Sequence, residues 1–483
     1  MHMGNKRDLT DWFAELLHLK DVPFMGVPSY MFSIEYWLGG IAASALAWQV
    51  LTGLLLLFYY EPSNAYDSTM SILHNVSFGS IILSSHLYGA YIMIFAVYMH
   101  GLYVMLKGGY KKPRGFQWIL GVLLFVLTLG VSFIGYSLTG GDVLAADAVD
   151  VGRGGLLTAL GMQSLIPIAF GNGTELDLFS RLLAWHITIA AAIILLFLLH
   201  FYLAEENGLM PRLKDSGYKV PAMINKNSKD LPPWWPRNFI YMAALVLMIW
   251  GIIILIPSIL ALPSIYPSIP ILFSPYPPGP SPTSPQAAAV PAYPPWFFLF
   301  IYKMLDMPFG LKIDEVLSMI APLIILLIIP ALDRNEKLHP LDRPGILALA
   351  LIGLIWLIEL SVWSAIQPGV PVNPSWAALV MLPPLIIVIT GIYATHRSWV
   401  RIRGGNAFNG GGKAGNNKSS SWILSKSTAS IIGYVTAILA IIIIALSLIL
   451  SPINDGPFIG VSWGAALLLL SASIFNYFYV NYV

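Results

Sequence analysis

Long apolar runs alternate along this chain with short polar stretches. A helix that crosses a bilayer takes about 20 mostly apolar residues, and such runs lie near 33–60, 78–106, 116–137, 180–204, 237–262, 314–331, 345–366, 376–395, 428–451 and 458–481. The pattern predicts an all-α polytopic membrane protein of about ten transmembrane helices. Two stretches break it. The Pro-rich YPSIPILFSPYPPGPSPTSPQAAAVPAYPP lacks the amide donors a helix needs and is expected to pack outside the membrane. GGNAFNGGGKAGNNKSSS, from Gly404 to Ser421, reads as a flexible linker between eight helices and a last pair.

Charge orients the runs. Lys and Arg collect in KGGYKKPRG, PRLKDSGYKVPAMINKNSKD, DRNEKLHPLDRP and HRSWVRIRGG, and these alternate with acidic or uncharged loops such as DVLAADAVDVGRGG and QPGVPVNPS. Basic loops stay on the cytoplasmic side. An even helix count then leaves both termini in the cytoplasm of a multi-pass protein of the cell membrane, with Lys111, Lys112 and Arg114 facing inward. The first 30 residues, charged and amphipathic, read as a surface helix rather than a signal peptide.

Composition narrows the chemistry. Hydrophobic residues make up 57% of the chain and charged ones 10%, while the net charge of +2 indicates no nucleic-acid partner. There is no cysteine, so any iron–sulfur centre tied to this protein must sit on another chain.

The histidines carry the strongest signal. His86 and His100 bracket one apolar run, and His186 and His200 bracket another at the same spacing of fourteen. Fourteen residues rise about 21 Å and return to within roughly 40° of the starting direction. Each pair therefore faces one way at two depths. The second and fourth helices run in the same direction, so His86 is level with His186 and His100 with His200. Two facing neutral imidazoles are what a bis-histidine haem requires, and an unpaired imidazole in hydrocarbon is costly. Two haems are expected, one near each membrane face. Gly39 and Gly53, and again Gly121 and Gly135, lie fourteen apart on the first and third runs. They remove side chains where a flat cofactor needs close backbone approach.

With DWFAELL, GGYKKPRGFQWILGV, GYSL, RLLAWH and PPWFFLFIYKMLDMPFGLKIDEVL, the chain resembles the cytochrome b family over roughly residues 10–400. The resemblance implies a dihaem four-helix bundle (31–210) after the surface segment (1–30), then a C-terminal half with quinone-site helices (211–403). The linker (404–427) and an extra helix pair (428–483) follow. It implies haem b or a farnesylated relative, a quinone, a Rieske iron–sulfur partner, further subunits such as a cytochrome or terminal oxidase, and a homodimer.

The family's function is quinol oxidation, in which one electron leaves to the iron–sulfur protein and the other crosses through both haems to an inner quinone site. The resemblance places an outer quinol pocket among Phe133, Gly135, Tyr136, Pro294, Trp296, Phe297 and Tyr302. Arg181 would support a haem propionate or the site, and Glu205, Arg237 and Asn238 would line the inner pocket. Departures accompany these matches. Leu83 and Tyr103 stand where the family often has arginine, and Pro295 replaces the glutamate of its Pro-Glu-Trp-Tyr segment. A nearby acid is expected to accept the quinol proton instead, Asp142 first, with Asp147, Asp150 and Asp306 as further candidates. Two other classes stay in view: a dihaem membrane anchor for another dehydrogenase or oxidase, and a transporter whose histidines carry protons.

Overall fold

The computed structural model describes residues 24, 26–141, 157–159, 161–171, 174–224, 231–276, 279–281, 283–287, 294–310, 313–314, 316–406, 425–450 and 456–483. The expected surface helix, Asp142, Asp147, Asp150 and most of the linker lie outside them.

With no water in the hydrocarbon to receive backbone amides, apolar runs close their hydrogen bonds internally and become helices. The first five are α1 (Leu38–Leu57), α3 (Gly79–Lys107), α4 (Gly115–Ser137), α5 (Glu175–Asn207) and α6 (Arg237–Leu260), with a short α2 (Ala65–His74) between the first two long ones. The second half holds a short α7 (Leu299–Leu305), α8 (Ala321–Leu332), α9 (Pro344–Ile366) and α10 (Pro374–Asn406). The last pair is α11 (Lys426–Leu450) and α12 (Gly456–Tyr482). Local chemistry sets several ends. Gly108, with φ of 72°, closes α3, where a side chain would be strained. The Thr174 hydroxyl caps α5 by accepting from the Asp177 amide at 3.2 Å.

One predicted span is built differently from the others. Among the described residues nine helices are long and apolar enough to cross a membrane, and the run at 314–331 is not one of them. It divides into a π-helical turn, Val316–Ile320, and the 12-residue α8. Pro322 falls in the first turn of α8, where its missing amide is tolerated, and Pro330 removes a donor near the other end.

Helices α1 and α3 form one pair and α4 and α5 another. Ile41 and Ala45 on α1, Met93 and Ala96 on α3, and Leu245, Ile249 and Ile253 on α6 make one buried cluster, which fixes α6 beside the first pair. The last pair does not continue from α10. Instead α12 lies along α6, where Gly464 meets the backbone of Leu255 so closely that an added Cβ would stand 2.7 Å from Leu255 Cβ. Ser471 donates to the Ala244 carbonyl at 2.7 Å on the same seam. Small residues and interhelical hydrogen bonds of this kind drive helix association in lipid, where hydrophobicity does not.

The basic loop after α3 is only partly exposed. Lys112 is exposed, whereas Lys111 and Arg114 are buried, contrary to a freely solvated loop. Asp333 receives Lys111 at 2.9 Å, the Tyr110 hydroxyl at 2.5 Å and Arg343 at 3.4 Å, tying the end of α3 to the second half of the chain. Arg114 donates to the carbonyls of Gly109, Gly208 and Ala222, and burial lowers its pKa to about 10. His339 and His396 likewise have structural partners rather than simple solvation. His339 stacks on Trp399 at 4.2 Å, and His396 Nδ1 donates to the Leu341 carbonyl at 2.6 Å.

Candidate functional site

The four histidines of α3 and α5 meet across the two helix pairs. His86 and His186 face one another with ring centres 6.4 Å apart and planes tilted by 58°. His100 and His200 approach one another at the other level. Each imidazole also lies against one glycine of its neighbouring helix. A Cβ built on Gly53 would stand 3.3 Å from His86 Cε1, on Gly39 3.3 Å from His100, on Gly121 3.3 Å from His200, and on Gly135 2.7 Å from His186. The glycines thus make room for the ligand rings themselves. At Gly135 a side chain would force the ring to shift.

Hydrogen bonds orient the first pair. The Thr52 hydroxyl donates to the Trp48 carbonyl at 2.7 Å and so accepts from His86 Nδ1 at 2.8 Å. The Val131 carbonyl accepts from His186 Nδ1 at 3.0 Å. With Nδ1 carrying the proton in both, each Nε2 keeps its lone pair as the atom able to bind a metal. In the second pair the Gln117 backbone faces His200, one helical repeat from Val131, but Nδ1 of His200 closes no hydrogen bond of good geometry.

These residues fit a bis-histidine haem. A metal held by two imidazole nitrogens at about 2 Å each, plus roughly 1 Å from each nitrogen to its ring centre, separates the ring centres by about 6 Å. The measured 6.4 Å matches.

Beside the His86–His186 level, an aromatic cluster joins residues some 200 positions apart. Phe297 and Phe298 are buried with Tyr88, Tyr91, Ile94 and Ile301, and Phe133, Trp296 and Tyr302 pack against them. Phe133 meets Phe298 edge-on at 5.9 Å, and Tyr91 meets Phe297 at 5.9 Å and Trp296 at 6.3 Å. Tyr136 lies near Tyr91. The fold therefore brings Phe133, Trp296, Phe297 and Tyr302 of the expected outer pocket into one cluster and adds Tyr88, Tyr91 and Phe298. Tyr91 follows His86 by five positions on α3, a spacing that could have marked it; Tyr88 is held by donating to the Phe273 carbonyl at 2.6 Å, which no local pattern reveals.

Asp306 is committed elsewhere. It pairs at 2.9 Å with the fully buried Lys303, whose ammonium also donates to the carbonyls of Gln367 and Val370. Burial raises the pKa of Asp306, with Lys303 opposing that shift.

Arg181 pairs with Asp177 at 3.0 Å near the start of α5. Glu205 is half-buried five residues past His200. Arg237 donates to Ser29 at 3.1 Å and lies 4.5 Å over the Phe32 ring, and Asn238 beside it is buried.

Comparison with known proteins follows the same division of the chain. Residues 91–276 match the family described as cytochrome b(N-terminal)/b6/petB, and residues 283–382 match cytochrome b(C-terminal)/b6/petD. The chain is 41% identical over 408 residues to the cytochrome b of Sulfolobus acidocaldarius, covering 80% of this chain and 71% of that one. It is 34% identical over 194 residues to cytochrome b6 of Heliobacterium modesticaldum, 39% of this chain and 91% of the relative. It is 28% identical over 367 residues to the cytochrome bc complex cytochrome b subunit of Chlorobaculum thiosulfatiphilum, 72% and 80% respectively. A solved chain of a hyperthermophilic respiratory Complex III shares the fold with a TM-score of 0.59 at 20% identity, over 81% of this chain and 97% of that one.

Proposed function

Because this chain belongs to the cytochrome b family, we propose that it is the membrane subunit of a respiratory quinol-oxidising complex in which His86 and His186 hold one haem and His100 and His200 a second. The observation that carries this reading is the duplicated arrangement of four histidines, each seated on its own glycine, with the first pair at a separation that admits a metal. Bound haem, b-type or farnesylated, supplies one-electron transfer, and two levels about 21 Å apart along α3 connect the two membrane faces.

The protein's own residues set the conditions for that chemistry. Thr52 and the Val131 carbonyl hold the Nδ1 protons of His86 and His186, which fixes both rings and leaves Nε2 for iron. Phe133, Tyr136, Trp296, Phe297 and Tyr302 give the quinol an apolar, water-poor wall beside the first level. Oxidation releases protons there, and Pro295 cannot take one. Asp142, which follows the α4 turn, is the assigned acceptor; Asp306 is held by Lys303. Glu205, Arg237 and Asn238 would serve an inner quinone near the second level, and Arg181 would support the first. A Rieske protein receives the other electron, since this chain has no cysteine to ligate a cluster. The working unit is a homodimer with further respiratory subunits, in a cell membrane with both termini cytoplasmic.

The test is a pyridine haemochrome assay on the purified chain with quinol oxidation by the copurified complex. Two haems per chain and Rieske-dependent, inhibitor-sensitive turnover support the reading. Absence of haem would favour the transporter class and sink it. Pro295 favours one second reading, a dihaem anchor passing electrons between quinone and another enzyme; two haems without Rieske-dependent turnover would select it.

A further inference from the structure

Tyr36, Tyr103 and Lys107, at the membrane-face end of the His100–His200 level, have no part in the proposed wiring. Tyr103 stands one turn beyond His100 on α3, and Tyr36 stands one turn before Gly39 at the start of α1. Because Gly39 seats the His100 ring, both tyrosines continue the same two walls toward the membrane face. Their rings meet edge-on at 6.0 Å, which sets the two phenols side by side. Lys107, a further turn along α3, holds its ammonium 5.2 Å from the Tyr103 ring centre. Across the gap Gln117, one turn before Gly121, accepts from Asn207 at 3.3 Å.

Several other cations near this face are already engaged, while Lys112 is exposed to solvent. Lys111 is bound to Asp333, Arg114 to three carbonyls, and Arg212 to Asp215 at 2.7 Å while lying over the Tyr30 ring. Arg237 stacks on Phe32, in the aromatic group with Tyr241 and Phe478 on the α6–α12 side. Glu35 and Asp215 are acids within electrostatic reach of Tyr36.

A haem carries two propionates on one edge, and a carboxylate emerging from a membrane crevice needs donors at that depth. We propose that Tyr36 and Tyr103, backed by Lys107, receive a propionate of the haem held by His100 and His200. Two neutral hydroxyls and one ammonium then do what a guanidinium at position 103 would do. Each phenol O–H can donate, so a carboxylate placed between them accepts from both. The inference rests on the haem assignment above and extends it to named side chains.

Redox potentiometry and redox-difference infrared spectra of the purified holocomplex test it, with Tyr36→Phe, Tyr103→Phe, Lys107→Met and Tyr103→Arg. Losing a donor leaves more uncompensated negative charge beside the iron and favours its oxidised form. The double Tyr→Phe variant is expected to shift the reduction equilibrium of one haem about tenfold toward oxidised, about 59 mV for one electron. Tyr103→Arg should shift it the opposite way. The haem that moves should be the one lost in His100→Ala, and its carboxylate infrared band should move with it. If the double variant sheds that haem alone, the proposal also stands, and single Tyr103→Phe should then give the smaller shift. Unmoved potentials and carboxylate bands in variants that keep both haems would overturn it, as would a shift confined to the other haem. His100→Ala that removes no haem would sink the underlying assignment instead.

Discussion

The two levels of the bundle are built on identical spacing, yet their surroundings differ. At the His86–His186 level both outward ring nitrogens are hydrogen-bonded, to Thr52 and to the Val131 carbonyl. At the other level His200 Nδ1 makes no such bond, and the position one repeat before Thr52 is Leu38, which has no hydroxyl to offer. The second level instead opens onto tyrosines and Lys107. Repeated spacing duplicates where the ligands stand but not what holds and polarises them. Two haems with distinct potentials are the expected consequence.

The comparison breaks most completely at the ligands. His86→Ala or His186→Ala should abolish one spectral haem component, and His100→Ala or His200→Ala the other, read by redox difference spectra. Loss of the same component in His86→Ala and His100→Ala would overturn the two-level arrangement.

The next largest effect is expected at Gly135, where an added Cβ would stand 2.7 Å from the His186 ring, against 3.3 Å for the corresponding contact at Gly121. Gly135→Val should empty most of the first level, while Gly121→Val should leave more of the second. Haem content per chain is the measure, and equal losses would show that ring clearance does not separate the levels.

Asp333 lies at the second level's end of the bundle, where it holds the end of the histidine-bearing α3 through Tyr110, Lys111 and Arg343. Breaking a buried ionic group costs about 3–5 kcal/mol. Asp333→Asn should therefore lower the temperature at which the His100–His200 component bleaches, ahead of the other. Thermal bleaching followed at both haem bands checks this; simultaneous loss would assign Asp333 to global stability.

The smallest effect concerns Thr52. Thr52→Val keeps the shape and removes the acceptor for His86 Nδ1. Outer partners of this type are worth about 10–100-fold in metal affinity, so haem should leave the first level about tenfold faster into an acceptor apoprotein. The second level should be unchanged.

Much of this was decided within single segments of the chain. Helix length, the fourteen-residue repeat of His86/His100 and His186/His200, and the matching glycines all follow from hydropathy and the fixed pitch of a helix, which act over neighbouring residues. Which histidine each glycine seats was not decided there, because it depends on α1 lying against α3 and α4 against α5. The 314–331 run stays helical from Val316 to Leu332, as a π-helical turn that passes directly into α8.

Other features needed chain segments far apart to meet. The aromatic wall joins Tyr91 and Phe133 to Phe297 and Phe298, and the Asp333 cluster buries Lys111 that charge alone would leave in water. The last helix pair returns to α6 through Gly464 and Ser471 rather than staying beside α10. In lipid every helix is apolar outside, so hydropathy says that a helix spans but not which neighbour it takes. That choice falls to close steric fit and a few interhelical hydrogen bonds, which exist only once both surfaces are in place.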